Sequence, residues 1–490
     1  MSYAYPHMAV SAFLAGTLIV GLWMGSGIKT MREYALANMV YGTGTLTVTF
    51  LATYIEAWNL IGFPSDIFTD GLTHLVPTVL CGVIFCLLVI GRYIAPRVKQ
   101  FVNALTMGDL MEIFYGDYSR RLTGFLGLVY CTAATSIQIL FLQHVCRLLY
   151  AESDWLLITF ALIVVLYASW GGIKAVTLTD VLQFVVIVAG LALIAHIALY
   201  EAGGIPHILR SVPPEKLRLF DIGRDKAGEF GASYYSFPIL IIWMLFPALP
   251  LSFPFIQRIL MAPDGRKAAH MYYLSALFLV VFFLLLTAIG LAALVLYPQS
   301  TSSEIVLHFI EKLPNGAAKA LIVTSLLAVI MSTIDSFLHA AGLSFTHDVI
   351  RPFLHQRVAG FNELRVVKYV TCLIGCLAIA VALMVRDIYT IAMYGMDLAG
   401  LLFTIPLIGG IMGLKTDSGD FFFSSLATLG CFCLSTVYLN EGLVIPCCIL
   451  ASAISFFGAH VVRNKGLAKG TILAGKGTNM PSIADETLTM

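Results

Sequence analysis

The chain of 490 residues is 59% hydrophobic and only 12% charged, and its mean hydropathy is +0.89. Soluble domains carry about 45–50% apolar and about 25% charged residues, and a net charge of +1 gives no field that would attract nucleic acid. The composition therefore excludes an ordinary soluble domain, a disordered chain and a disulfide scaffold. It predicts an all-α polytopic membrane protein surrounded by the lipid bilayer.

Apolar runs long enough to cross a bilayer, which takes about 20 helical residues, occur thirteen times. The first is too long for a cleaved signal and nothing basic precedes it, so we expect a retained helix. An odd number of spans puts the two ends on opposite sides, and an external N-terminus leaves most Lys and Arg, Arg258 among them, in cytoplasmic segments. The predicted spans are residues 8–28, 40–63, 71–91, 122–146, 155–173, 176–200, 232–256, 269–298, 320–346, 369–385, 388–414, 421–439 and 442–462.

Two of these spans carry features that interrupt helices. The span 40–63 leads through a polar stretch into Gly62-Phe-Pro64, and the span 232–256 contains four prolines. Proline removes a backbone donor and clashes with the preceding turn, and carbonyls freed in this way are tolerated in a membrane only where they line a cavity. The two spans are second and seventh in order, which predicts two five-helix repeats that each begin with a discontinuous helix, around a midplane binding site. Ordinary proline kinks are the alternative.

Four carboxylates lie in the predicted spans, which contain no Lys or Arg by these boundaries: Glu56, Asp180, Asp335 and Asp397. An acid in a span costs about 2.5–3.5 kcal/mol on insertion scales, so it normally faces a protein interior or a wet cavity. Acids without bases predict a pathway that attracts cations. Simple hydration near the end of a span is the alternative, most of all for Asp180 and Asp397.

Hydroxyl side chains form a stripe along the span 320–346. Val329, Ser332, Thr333 and Ser336 follow the i, i+3, i+4, i+7 pattern of one helix face, and Asp335 flanks them. Hydroxyl, carboxylate and carbonyl oxygens are ligands of hard cations. Such stripes more often pack helices together, but the adjacent acid favours an ion site.

Two segments resemble hallmarks of the sodium/solute symporter family, which includes sodium/proline and sodium/sugar symporters. Met331-Ser-Thr-Ile-Asp-Ser336 is similar to the signature helix of the family, and Gly171-Gly-Ile-Lys-Ala-Val-Thr-Leu-Thr-Asp-Val-Leu-Gln183 is similar to a second motif. The resemblance implies a LeuT-like core of two inverted five-helix repeats and sodium-coupled alternating access. The expected organisation is an extra N-terminal helix (1–39), a first repeat (40–200), an extracellular loop (201–231), a second repeat (232–414), two C-terminal helices (415–462) and a cytoplasmic tail (463–490).

The same resemblance implies the ligands of sodium, carried over residue by residue. One sodium would lie between the interrupted second span and the hydroxyl stripe, bound by the carbonyls of Ala52, Ile55 and Val329 and the hydroxyls of Ser332 and Thr333. Some members of the family bind a second sodium, for which the matching residues are Asp180, Ser332, Asp335 and Ser336. We expect no metal other than sodium and no cofactor.

The solute pocket is expected beside the interruption. Many relatives carry a small residue where this chain has Glu56, whose carboxylate would bind a cationic group of the solute or a proton and disfavours a sugar. Tyr54, Trp58 and Asn59 would line the same cavity. We expect an amino acid or a related small metabolite, although the substrate residues of the proline carriers do not align cleanly with this chain.

The sequence thus predicts a transporter and not an enzyme: a sodium-coupled symporter that imports a small organic solute, as a monomer, through the plasma membrane of a bacterium. A proton-coupled symporter of the same fold is an alternative, because Asp180 and Asp335 would repel each other unless a cation or a proton lies between them. A transporter-like sensor is a second alternative, although the short tail leaves no room for a signalling domain. Asp397 and His339, one turn below Asp335, have no assigned role.

Overall fold

A computed structural model describes residues 4–149, 154–219, 251–300, 305–354, 360–385, 388–439 and 441–474, and within these ranges the chain forms helices and short connections without a strand. The first half holds α1 (Ala4–Gly25), α2 (Met31–Leu36), α3 (Thr43–Tyr54), α4 (Ala57–Asp70), α5 (a helical run over 76–98), α6 (Met107–Tyr115), α7 (Asp117–Leu148), α8 (Asp154–Glu201) and α9 (Ile205–Ser211). The second half holds α10 (Phe253–Met261), α11 (Gly265–Leu296), α12 (Ile305–Lys312), α13 (Ala317–Ser344, prolonged by Phe345–Ile350 and Arg351–Leu354), α14 (Glu363–Met384), α15 (Ile388–Ile411), α16 (Ser418–Tyr438) and α17 (Glu441–Ala474).

Helices long and apolar enough to cross a membrane number nine among the described residues, or ten if the bent pair α3 and α4 forms one span. The long helix α8 covers two predicted spans, 155–173 and 176–200, which meet at Gly172 with φ 53° and ψ −162°. This conformation favours glycine because it lacks a Cβ. The predicted broken span 232–256 lies outside the described residues as far as position 250, so the total of thirteen spans stays a prediction.

The interruption of the predicted span 40–63 is confirmed. Helix α3 ends at Tyr54, α4 begins at Ala57, and the two are bent by 61°. Ile55 and Glu56 between them are extended, with ψ values of 95° and 165°. Pro64 lies inside α4, so the break precedes the proline by two turns.

Side chains compensate the backbone groups that this break exposes. The amide of Asn59 donates to the carbonyl of Tyr54 at 3.0 Å, and the N–H of Ala57 donates to Oε1 of Gln138 at 3.4 Å. Because an unpaired peptide group costs several kcal/mol in a membrane interior, such partners are what makes irregular backbone tolerable at that depth.

Helix α13 lies at the centre of the molecule. Every residue from Ile322 to Ser344 is buried, and the helix packs against α8, α7, α1, α14 and α3. Glycine permits one of these close approaches: a Cβ on Gly190 of α8 would lie 2.1 Å from the hydroxyl oxygen of Ser325. The hydroxyl stripe of α13 is therefore held inside protein and not against lipid.

We predict that Gly190→Ala lowers the free energy of unfolding by about 1–3 kcal/mol, because the added methyl group overpacks the contact between α8 and α13. Thermal unfolding of the purified protein in detergent measures this. Gly16→Ala in α1 is the matched control, since a Cβ there meets no atom within 4 Å and should leave stability unchanged or raise it. Equal stability of the two variants would contradict the packing described here.

Candidate ion and solute site

The break between α3 and α4 faces the hydroxyl stripe of α13. Ser332 Oγ donates to the carbonyl oxygen of Ala52 at 2.8 Å and lies 3.0 Å from that of Val329, which also accepts from Thr333 Oγ1 at 3.1 Å. In a continuous helix the Ala52 carbonyl would accept from the N–H of Glu56, which here lies within the extended break. The structure therefore brings Ala52, Val329, Ser332 and Thr333 together, with Ile55 buried at the break beside them.

A second polar cluster lies beside the first and joins α3, α8 and α13. Asp335 Oδ2 accepts from the hydroxyls of Tyr167 at 2.8 Å and Thr179 at 3.3 Å. Asp180 Oδ2 accepts from Thr49, and the hydroxyls of Thr53 and Ser336 lie 2.9 Å apart. Both carboxylates, together with Ser332 and Ser336, are fully buried.

Each of the two carboxylates keeps one oxygen for which the described residues supply no hydrogen-bond partner, Oδ1 of Asp180 and Oδ1 of Asp335. A buried acceptor without a partner costs about 1–3 kcal/mol, and more when it is charged. These two oxygens are therefore the atoms of the cluster best able to accept a cation or a proton.

The structure adds a base that the sequence analysis misplaced. Arg258 lies in the short helix α10, fully buried, and not in an exposed cytoplasmic segment. Its Nη2 donates to Ser336 Oγ at 2.6 Å and Thr53 Oγ1 at 3.0 Å, and lies 3.5 Å from Asp180 Oδ2. The expectation of acids without bases is therefore wrong for this cluster, which holds one guanidinium beside two carboxylates.

A cavity of about 450 Å³ opens on the other side of the break. Tyr54, Glu56 and Trp58 line it, as the sequence predicts, and Asp397 of α15 joins them. Asn59 does not line it in the described structure, because its side chain binds the carbonyl of Tyr54. Further lining residues come from α5, α7, α15 and α17, including Tyr130, Gln138 and Tyr389.

His339 is buried next to the second cluster, and the described residues give neither of its ring nitrogens a hydrogen-bond partner. Its ring lies against that of Tyr34, with centroids 4.8 Å apart. We therefore interpret His339 as a side chain that packs in the core.

An ion-pair network surrounds Arg120 where α6 and α7 meet the extension of α13. Arg120 lies 3.2 Å from Asp109, 2.7 Å from Glu112 and 3.3 Å from Asp348. His347 binds Asp109 at 3.2 Å and Glu363 at 2.5 Å. Burial alone would raise the pKa of Asp109, but the hydrogen bond and charge of His347, with Arg120, outweigh it and hold that pKa below its usual value. In the predicted topology this network lies on the cytoplasmic side.

A helix interrupted at an oxygen-rich site, a buried charged cluster and an adjoining cavity in a multi-pass helical protein define a secondary transporter. The sequence model of the sodium:solute symporter family matches residues 34–409. The chain belongs to the sodium:solute symporter family. It is therefore a sodium-coupled transporter of a small organic solute, and not an enzyme.

Three similar proteins come from bacteria. The high-affinity proline transporter PutP of Bacillus subtilis is 23% identical over 371 residues, which cover 71% of this chain and 74% of that protein. The osmoregulated proline transporter OpuE of the same organism is 25% identical over 77% of each chain. A sodium/proline symporter of Staphylococcus aureus is 22% identical over 70% of this chain and 67% of its own length.

Two solved structures show the same fold. The substrate-bound outward-open state of a Na⁺-coupled sialic acid symporter superposes with a TM-score of 0.81 at 18% identity, covering 93% of this chain and 98% of the other. MHP1, a nucleobase-cation-symport-1 family transporter in a closed conformation, gives a TM-score of 0.59 at 14% identity, covering 89% and 95%. The fold is thus that of the LeuT-like transporters.

We predict that Arg258→Gln destabilises the protein by about 3–5 kcal/mol, because it leaves buried carboxylates without a compensating charge. The double variant Arg258→Gln/Asp180→Asn should recover part of this loss. Thermal unfolding in detergent at fixed sodium measures both. Arg121→Gln is the control, since Arg121 is 40% exposed in its pair with Asp117 and should cost less than about 1 kcal/mol. Strictly additive losses for the double variant would show that Arg258 and Asp180 are not coupled.

Proposed function

We propose that sodium binds at the break and couples the movement of the solute to its own gradient. The five ligands are the carbonyls of Ala52, Ile55 and Val329 and the hydroxyls of Ser332 and Thr333. The observation that carries this proposal is the 2.8 Å contact between Ser332 and Ala52. It brings together, without lipid between them, a carbonyl freed by the interruption and a hydroxyl of the central helix.

The ligand chemistry suits an alkali metal ion. Hydroxyl and carbonyl oxygens are hard, neutral ligands, and the Ala52 carbonyl lies in the last turn of α3, where the helix dipole places partial negative charge. On binding, the two hydroxyls would turn their lone pairs toward the ion and their protons away from Val329. The negative charge of the neighbouring cluster offsets part of the cost of dehydrating the ion.

Such an ion ties α3, in the predicted first repeat (40–200), to α13, in the predicted second repeat (232–414). We propose that this tie stabilises the outward-open state and completes the solute cavity. One charge crossing 100 mV is worth about 2.3 kcal/mol, and a tenfold gradient adds about 1.4 kcal/mol. Together these concentrate a neutral solute roughly several-hundred-fold.

The charged cluster is the candidate for a second cation. Asp180, Asp335, Ser332 and Ser336 would supply its oxygens, as the sequence predicts. With both acids and Arg258 ionised the cluster carries one net negative charge, which one sodium or one proton would balance. The oxygens without partners on both acids support this proposal, and they keep a proton-coupled symporter as the second candidate function.

The remaining assignments rest on the sequence. The N-terminus is proposed to lie outside and the tail after residue 462 in the cytoplasm, with the loop 201–231 external, in the plasma membrane of a bacterium. Helices α16 and α17 pack on each other and on α15, which is where two helices outside the repeats are expected. We propose a monomer as the functional unit, with the solute and sodium as its ligands.

We predict that Ser332→Ala and Thr333→Ala each raise the sodium concentration for half-maximal uptake at least tenfold in proteoliposomes, because each removes one ligand of the ion. The control is Thr324→Ala on the same helix, whose hydroxyl bonds only to its own helix, at Ala320. Unchanged sodium dependence in both variants would discard the site. Uptake driven by a pH step without sodium would move the assignment to the proton-coupled alternative.

A further inference from the structure

The cavity beside the break has a charge pattern that the proposed function does not explain. Among the described residues that line it, the only charged side chains are Glu56 and Asp397. The described lining of the cavity therefore carries two acidic groups and no basic side chain.

The carboxylates of Glu56 and Asp397 have few hydrogen-bond partners among the described residues. Glu56 occupies the N-cap position of α4, yet its side chain makes no capping hydrogen bond. Its one side-chain partner among the described residues is Gln138, whose Nε2 lies 3.5 Å from Glu56 Oε2. Asp397 receives no hydrogen bond from any described residue of the chain. Both acids thus keep oxygens available to a ligand in the cavity.

Aromatic rings supply the rest of the recognition surface. Tyr54, Trp58, Tyr130 and Tyr389 line the cavity, and the rings of Trp58 and Tyr389 lie with centroids 6.4 Å apart. The faces of aromatic rings attract cations, and their combination with carboxylates is the chemistry that binds ammonium groups. A ligand with a positive charge and an apolar body satisfies both kinds of wall.

A free amino acid satisfies this cavity less well. Its carboxylate would meet two acids, and among the described protein groups that line the cavity the partial positive charge comes from the N-terminus of α4. There the N–H of Ala57 is already directed to Gln138 Oε1 at 3.4 Å. The solute carboxylate would therefore bring a third negative charge, with no basic side chain among the described lining residues to bind it.

We infer that the solute is a small organic cation, an amine or a quaternary ammonium compound without a carboxylate, bound by Glu56 and Asp397 against the surrounding aromatic rings. This rests on the proposed function, because it assigns the solute class of the same cavity. It replaces the broader expectation of an amino acid or a related metabolite with amines and quaternary ammonium compounds that lack a carboxylate. A volume of about 450 Å³ accommodates a compound the size of choline or 1,5-diaminopentane.

The test uses ligand pairs that differ in the carboxylate. Binding of choline against glycine betaine, 1,5-diaminopentane against L-lysine and pyrrolidine against L-proline is measured by calorimetry on the purified full chain in sodium. The inference predicts that at least one cation binds and that it binds at least tenfold more tightly than its carboxylated counterpart. Preference for the carboxylated member in every pair that binds would overturn it.

Variants assign the effect to the two acids. Glu56→Gln and Asp397→Asn should each weaken binding of the cation at least tenfold, while Asp70→Asn, at the exposed end of α4, should not change it. Glu56→Gln/Gln138→Glu moves the carboxylate to the neighbouring side chain at unchanged total charge and should restore part of the affinity. Stabilisation of each variant by sodium in thermal unfolding shows that it is folded.

The outcomes separate this inference from the proposed function. Sodium-dependent uptake of a zwitterion or a neutral solute, with no binding of the cations, overturns the solute class and leaves the sodium site intact. Cation binding that is unaffected by either acid variant also overturns it. Uptake by the unmodified protein that does not depend on sodium would overturn the proposed function itself, whatever the ligand pairs show.

Discussion

The meeting of a freed carbonyl with a side-chain hydroxyl is the contact on which the remainder of the site depends. Helix α3 stops at Tyr54, so the Ala52 oxygen loses its helical partner and becomes available to Ser332 on α13. In hydrocarbon such an exposed peptide group would cost several kcal/mol. The break can persist because α13, Asn59 and Gln138 surround it with polar atoms.

Charge is distributed in steps around this contact. Neutral oxygens lie at the break, and two acids with one arginine lie in the cluster beside it. Among the described residues, the solute cavity is lined by two acids and no basic side chain. Each step suits a cation of a different kind: a dehydrated metal ion, a balancing ion or proton, and an organic solute. Because α3 contributes to all three regions, through Ala52, Thr49 and Tyr54, we expect occupancy of one region to bias the geometry of the others.

Much of the site could be predicted from local sequence. The polar residues within one apolar run predict the interruption, although Gly62 and Pro64 lie inside α4 and not at the break. The hydroxyl stripe follows from helical periodicity, so both features are visible without a fold. Arg258 could not be placed in this way, because the positive-inside rule counts charges by loop. Arg258 follows the end of the predicted span 232–256, so the rule counts it with Arg266 and Lys267 of the next segment. The apolar neighbours Ile256, Ile259 and Leu260 were the signal that this arginine is buried.

Tertiary packing decides the other departures. Asp397 joins Glu56 because α15 lines the same cavity, which no spacing in the sequence reveals. Asn59 does not line the cavity because its side-chain amide donates to the carbonyl of Tyr54, which the break has freed. The two predicted spans in α8 are joined at Gly172 without a loop, because glycine adopts the positive φ angle that this junction requires.

A high-resolution structure of the protein determined with sodium present tests the central claim most directly. The account predicts density for an ion among the carbonyls of Ala52, Ile55 and Val329 and the hydroxyls of Ser332 and Thr333, with α3 and α4 still separated at Ile55 and Glu56. A continuous helix through these residues, or sodium bound only elsewhere while those hydroxyls stay bonded to their own helix, would contradict it.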